Sequence, residues 1–76
     1  MMHKRKLTSQ YHLTPRENLV LEYLVIGCDN KTIAQELNVS SHTVKIHVAN
    51  IIKKFEAKNR THVAFIAGAG ELVNIR

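Results

Sequence analysis

The stretch NVSSHTVKIHVANIIKKF, residues 38 to 55, constrains the fold more than any other part of the chain. An α-helix advances about 100° per residue, which puts Val44, Val48, Ile51 and Phe55 within about 60° of one another. Those four make an apolar stripe that only a protein core satisfies. Ser40 precedes them as an N-cap, and the spacing predicts a helix over 41–56. His42, Ile46, Ala49 and Lys53 fall on the opposite side, flanked by Lys45 and Asn50. That side is basic and free of acids. A core explains the stripe and leaves the other side to be accounted for.

The remaining segments read as helices too. In LTPRE, Thr14 is an N-cap, Pro15 takes the first helical position where its missing N–H is harmless, and Glu17 completes a capping box. A helix is expected over 15–26, with Val20, Leu21 and Leu24 on one side, Glu17 one turn earlier, and Gly27 ending it in a left-handed cap. DNKTIAQELNV predicts a short helix over 31–37, capped by Asn30, with Ile33, Ala34 and Leu37 facing inward. Asn38 suits the tight turn that follows, because asparagine tolerates positive φ. Thr61 is expected to cap a fourth helix over 62–69, weakened near its end by Gly68 and Gly70. The fold class is therefore all-α, a four-helix bundle with a central helix-turn-helix. Residues 13–70 form the domain, residues 1–12 a flexible basic arm without helical or strand period, and residues 71–76 a C-terminal tail.

Composition limits what such a domain does. A chain of 76 residues allows one small domain with a marginal core. Eleven Lys and Arg against six Asp and Glu give a formal charge of +5, a field that suits a polyanion, with nucleic acid the first candidate. The cations gather in two places: Lys4, Arg5 and Lys6 in the acid-free start, and Lys45, Lys53, Lys54, Lys58 and Arg60 against Glu56 alone. Cys28 is the only cysteine, so an internal disulfide and a multi-cysteine zinc site are excluded. It reads as a small residue just past a helix end. His42 and His47 have the wrong spacing to share a metal on one helical face, and no cofactor is expected. A glycine-rich phosphate loop, paired carboxylates and a nucleophile with its base are all missing, so an enzyme is not expected. No apolar stretch reaches the roughly 20 residues of a membrane span. The basic start lacks the apolar run of a signal peptide, and a lone thiol suits a reducing cytoplasm.

Two helices joined by a short turn, the second longer and basic on its exposed side, describe a helix-turn-helix. The second helix of such a motif enters the major groove of double-stranded DNA, its N-terminal half against the base edges. The groove is about 12 Å wide and admits a helix only where the entering side chains are not bulky. Ala49 permits close approach, Ile46 suits a thymine methyl, and Lys45 suits guanine O6 and N7. Ser41, Thr43 and the helix N-terminus suit phosphate. His42, Asn50 and Lys53 share the same side. For Lys53 and Lys54, phosphate contact competes with simple solvation of a helix end, and for His47 it competes with packing.

The segments LTPRE, NKTIAQELNVSSHTVKIHVANIIKKF and NRTHVA resemble the LuxR/GerE-type helix-turn-helix of bacterial transcription regulators, over Leu13 to Ala67. The resemblance implies a four-helix domain that binds DNA, usually as a dimer on inverted repeats. Such domains form the output end of response regulators and autoinducer receptors, and also occur as short stand-alone regulators. It assigns Lys45, Ile46 and Ala49 to the base edges. Thr43, His47, Lys53, Lys31 and Thr32 match positions that tend to contact the backbone. It gives the fourth helix the dimer contact. That helix is apolar almost all round and needs cover on more than one side, so Val63, Phe65 and Ile66 are the expected homodimer interface. Three positions depart from the family pattern: Ala49 stands where other members carry a longer polar side chain, Phe55 where leucine is usual, and Leu19 where a polar residue is preferred. Leu19, Tyr23 and Ile26, spaced i, i+4, i+7, either extend the core boundary or form a docking strip for a second domain, a protomer or RNA polymerase. A protein-interaction module that docks on RNA polymerase or another regulator is the alternative to a DNA-binding regulator.

Overall fold

The computed structural model describes residues 11–69. Among these the backbone forms α1 (Pro15–Val25), α2 (Asn30–Leu37), α3 (Ser41–Phe55) and α4 (Arg60–Ala69), with no strand. The fold class is all-α, as the periodicity predicts. Residues 1–10 of the expected arm and the tail at 71–76 lie outside the described residues. Tyr11 and His12, given to the arm because they fit no period, instead sit against the domain. The Tyr11 ring stacks on Phe55 with centroids 4.1 Å apart and planes 6° from parallel. The His12 carbonyl accepts a hydrogen bond from Lys54 Nζ at 3.1 Å.

Local capping chemistry decides where the helices start. Thr14 Oγ1 accepts from the Glu17 amide at 3.1 Å, and Glu17 Oε1 accepts from the Thr14 amide at 3.0 Å, so both arms of the capping box form. The helix α1 stops at Val25, and Gly27 follows at φ 92°. The helix α2 starts one residue earlier than expected, because Asp29 and not Asn30 is its cap. Asp29 Oδ1 accepts from the Thr32 amide at 2.8 Å, and that bond is the main reason its carboxyl lies below the usual range. The Asn30 side chain is engaged elsewhere, accepting from the Arg60 guanidinium, which also donates to the Cys28 carbonyl at 2.9 Å. Ser40 caps α3 as expected, its Oγ accepting from the Thr43 amide at 3.0 Å. That helix ends at Phe55 rather than Glu56, because Glu56 turns into the left-handed region at φ 55°. In α4, Asn59 takes the role expected of Thr61: Asn59 Oδ1 accepts from the His62 amide at 2.8 Å, three residues on.

The core is the stripe of α3 and what it meets. Val44, Val48, Ile51 and Phe55 are buried with Val20, Leu21 and Leu24 of α1, Ile33 and Ala34 of α2, and Val63 and Ala67 of α4. The helix α3 touches each of the other three. At the edge of this core one carboxylate ties two helix ends together. Glu17 Oε1, besides closing the capping box, accepts from Lys54 Nζ at 2.7 Å. Lys54 is therefore a brace between the start of α1 and the end of α3, and not the phosphate-seeking or merely solvated lysine that the sequence pattern offers.

Burial is the largest influence on Glu17 and raises its pKa. The hydrogen bonds from Lys54 and the Thr14 amide, with the charges of Lys54 and His47, outweigh it and hold the carboxyl below the usual glutamate range. A carboxyl with a lowered folded-state pKa contributes stability that is fully present above its unfolded pKa and is lost as the pH falls through the folded value. Lys54 keeps 33% of its side chain in water, which screens the pair. Glu17→Gln is thus expected to lose about 1–2 kcal/mol at neutral pH and to flatten the acid limb of the stability profile. Urea titrations at a series of pH values check both effects. An acid limb as steep in the variant as in the wild type would assign it to other carboxyls.

Candidate nucleic-acid interface

The roll of α3 about its own axis is set by four buried side chains, so the direction of its other face is set too. The turn before it is short. Asn38 adopts φ 59° and ψ 46°, and its amide bonds back to Ala34 and Gln35. The Val39 amide follows, donating to Ala34 O at 3.0 Å. Left-handed backbone at a single asparagine reverses the chain without a glycine. Ser40 then opens the next helix. No acid stands in the first turn of α3, and Lys53 and Lys54 stand in its last.

The predicted residues on α3 come out on one side. Ser41, His42, Lys45, Ile46, Ala49, Asn50 and Lys53 are exposed. Ile46 is 48% exposed, which excludes it from the core flank. Thr43 is half-buried and its Oγ1 accepts from Ser40 Oγ at 3.0 Å. His47 is half-buried and close enough to Glu17 for its charge to be felt there. Lys31 and Thr32 are exposed on a separate element, the first turn of α2, and the Thr32 amide is taken by Asp29. The structure adds residues that the sequence pattern missed. Tyr11 and His12 join Asn50, Lys53, Lys54 and Glu56 around a shallow depression whose floor includes Glu17. Neither residue belongs to a period, so nothing local in the sequence marks them.

The expected dimer surface needs correction at one position. Val63 is fully buried in the chain's own core, so it presents nothing to a partner. Its place follows from Ala67 one turn later, also fully buried, which makes the pair the inner edge of α4. Phe65 is 71% exposed, while Ile66 is half-buried against the core. On α1, Leu19 and Ile26 are exposed and Tyr23 packs partly on the core, so the i, i+4, i+7 strip is interrupted at its middle. No helix among the described residues is long and apolar enough to cross a membrane.

Residues 11–67 match the family described as bacterial regulatory proteins, luxR family. The chain is 43% identical over 58 residues to the transcriptional regulatory protein FixJ of Rhizobium meliloti, covering 76% of this chain and 28% of that protein. It is 42% identical over 52 residues to the nitrate/nitrite response regulator protein NarL of Escherichia coli K12, covering 68% and 24%. It is 42% identical over 65 residues to the uncharacterized transcriptional regulatory protein YhcZ of Bacillus subtilis, covering 86% and 30%. The chain thus spans a quarter to a third of the length of these curated relatives. Its buried stripe, its asparagine turn and its exposed basic helix fall inside the matched region, and the chain belongs to the luxR family of bacterial regulatory proteins, as a DNA-binding helix-turn-helix domain.

Proposed function

We propose that α3 enters the major groove of double-stranded DNA and reads sequence there, so that the chain acts as a transcription regulator. One observation supports this above the rest: the face of α3 opposite the buried stripe is exposed along its length, basic, acid-free and narrow at Ala49. Lys45 and Ile46 face base edges, Ala49 allows the approach, and Ser41, His42, Thr43, His47, Asn50 and Lys53 line the flanks toward the phosphates. Lys31 and Thr32 extend the phosphate contacts from α2. Two copies bind inverted half-sites about one helical turn apart, in contact through Phe65 and Ile66 of α4. The strongly exposed ring of Phe65 favours that arrangement, since it finds little cover among the described residues. The alternative, a module that docks on RNA polymerase, rests on Leu19 and Ile26 and leaves the basic face of α3 without a use.

Selection of binding sites from random duplexes tests the proposal and reveals the symmetry of the site. On a selected site, Lys45→Ala is expected to cost about 1–3 kcal/mol and to relax specificity at one base pair, because it removes a donor to a base edge. Lys53→Ala is expected to weaken all sequences alike and to flatten the salt slope by about one unit. If neither substitution alters binding, α3 is not the reading element.

A further inference from the structure

The described domain carries little charge for a polyanion. Seven Lys and Arg stand against five Asp and Glu in residues 11–69, a formal +2. Two of those cations are engaged with the domain's own oxygens. Lys54 bonds Glu17 and the His12 carbonyl, and Arg60 bonds Asn30 and the Cys28 carbonyl. On the α3 face itself only Lys45 and Lys53 carry fixed charge. With so few lysines free to meet phosphates, a further hydrogen-bond donor beside one of them matters.

His12 is such a donor. It is exposed, and it borders the same shallow depression as Asn50 and Lys53, beside the last turns of α3. Its backbone is fixed from both sides. One residue earlier, the Tyr11 ring packs on the core and stacks on Phe55. Two residues later, Thr14 closes the capping box of α1. Lys54 Nζ, paired with Glu17, donates to the His12 carbonyl between these anchors. His12 itself takes φ 55°, in the left-handed region. That region is unfavourable for a side chain with a Cβ, whereas glycine adopts it freely. Residues held there by their surroundings recur at functional sites. An imidazole donates an N–H to a phosphate oxygen in either protonation state. Of the two carboxylates around the depression, Glu17 is met by Lys54 at 2.7 Å, while Glu56 on the rim opposes an anion. We propose that His12 is a further DNA contact, donating to the backbone phosphate that Lys53 also meets. The inference rests on the DNA-binding reading and deepens it: His12 adds affinity without sequence information, and Lys45 and Ile46 supply the readout.

The test uses the full chain with His12→Gly, which removes the donor and relieves the backbone. Its resistance to urea is expected to match or exceed that of the wild type. Its affinity for the selected site and for random duplex is expected to fall by one common factor, about three- to tenfold, the worth of one hydrogen bond. Unchanged affinity overturns the inference. So does a loss confined to the selected site, since that would make His12 a base reader. His12→Lys returns a donor that is now charged, and is expected to restore affinity and to steepen the salt slope by about 0.9. A lysine that leaves the deficit in place shows that the imidazole serves packing instead. Single methylphosphonate linkages walked along the duplex locate the contact. The linkage that erases the His12→Gly deficit is expected to be the one that erases the Lys53→Ala deficit, and separate linkages overturn the placement. Glu56→Gln is expected to tighten binding to both duplexes, and an advantage that survives at that neutral linkage puts the phosphate elsewhere. If the wild type binds and Lys45→Ala relaxes its specificity while His12→Gly behaves as wild type, only the His12 inference fails. If the wild type binds no duplex, the DNA reading itself fails.

Discussion

Ala49→Asp is expected to reduce DNA binding at least a hundredfold while the domain stays folded. Ala49 is exposed in the middle of α3 and is not part of the core. In the proposed complex its replacement would remove the clearance that lets the helix axis approach the bases, and would put a carboxylate where the potential is most negative. A hundredfold loss corresponds to about 2.7 kcal/mol, the size expected when an unpaired charge is forced against a polyanion. Helix propensity alone accounts for only about 0.7 kcal/mol of stability, so folding and binding separate cleanly. Circular dichroism with thermal melting, beside gel shifts at one fixed salt concentration, measures the two. A variant that melts like the wild type and binds within a few-fold of it would show that this part of the helix stays away from the duplex.

Ile51→Ala tests the other side of the same helix. Ile51 is fully buried where α3 meets the remaining helices. Large-to-small changes at such sites cost about 2–5 kcal/mol, and a domain of this size holds about 3–5 kcal/mol in total. The variant is therefore expected to be mostly unfolded at 37 °C, with its cooperative urea transition shifted to very low denaturant or lost. Ile46→Ala makes the identical chemical change about 140° away around the helix. Ile46 is 48% exposed, so its stability should change by no more than about 0.5 kcal/mol. Comparable losses from the two substitutions would refute the assignment of faces on which the proposed function depends.

Much of the fold was legible because its information is local or periodic. The stripe of α3, the capping box at Thr14 and Glu17, the Ser40 cap and the left-handed Asn38 all rest on residues within a few positions of one another. The errors share a different cause, which is competition from distant partners. Asp29 and Asn30 are both good caps, and nothing nearby decides between them. Arg60, thirty positions away, draws the Asn30 side chain to itself and leaves Asp29 to the helix. Lys54 looks like Lys53 in sequence, and only the meeting of α1 with α3 gives it Glu17 as a partner. Tyr11 belongs to no pattern and is placed by its packing on the core, where its ring stacks on Phe55. For the candidate site, direction was readable and membership was not. Periodicity picks the outward side of α3, but it has no means of enlisting a residue from before the first helix. Val63 was misjudged because its helix is apolar almost all round: Val63 and Phe65 each have an alanine four residues on, and only packing against the other helices buries the first and leaves the second exposed.

The neighbouring lysines at the end of α3 have one practical consequence. Lys53 points to solvent and Lys54 fastens α1, although the two side chains are chemically identical. A reagent that acylates every ammonium group would strip charge from the outer surface and unfasten the scaffold in one stroke. Lost activity after such blanket labelling would then say nothing about where the ligand sits, and protection of individual amines by bound ligand becomes the informative quantity.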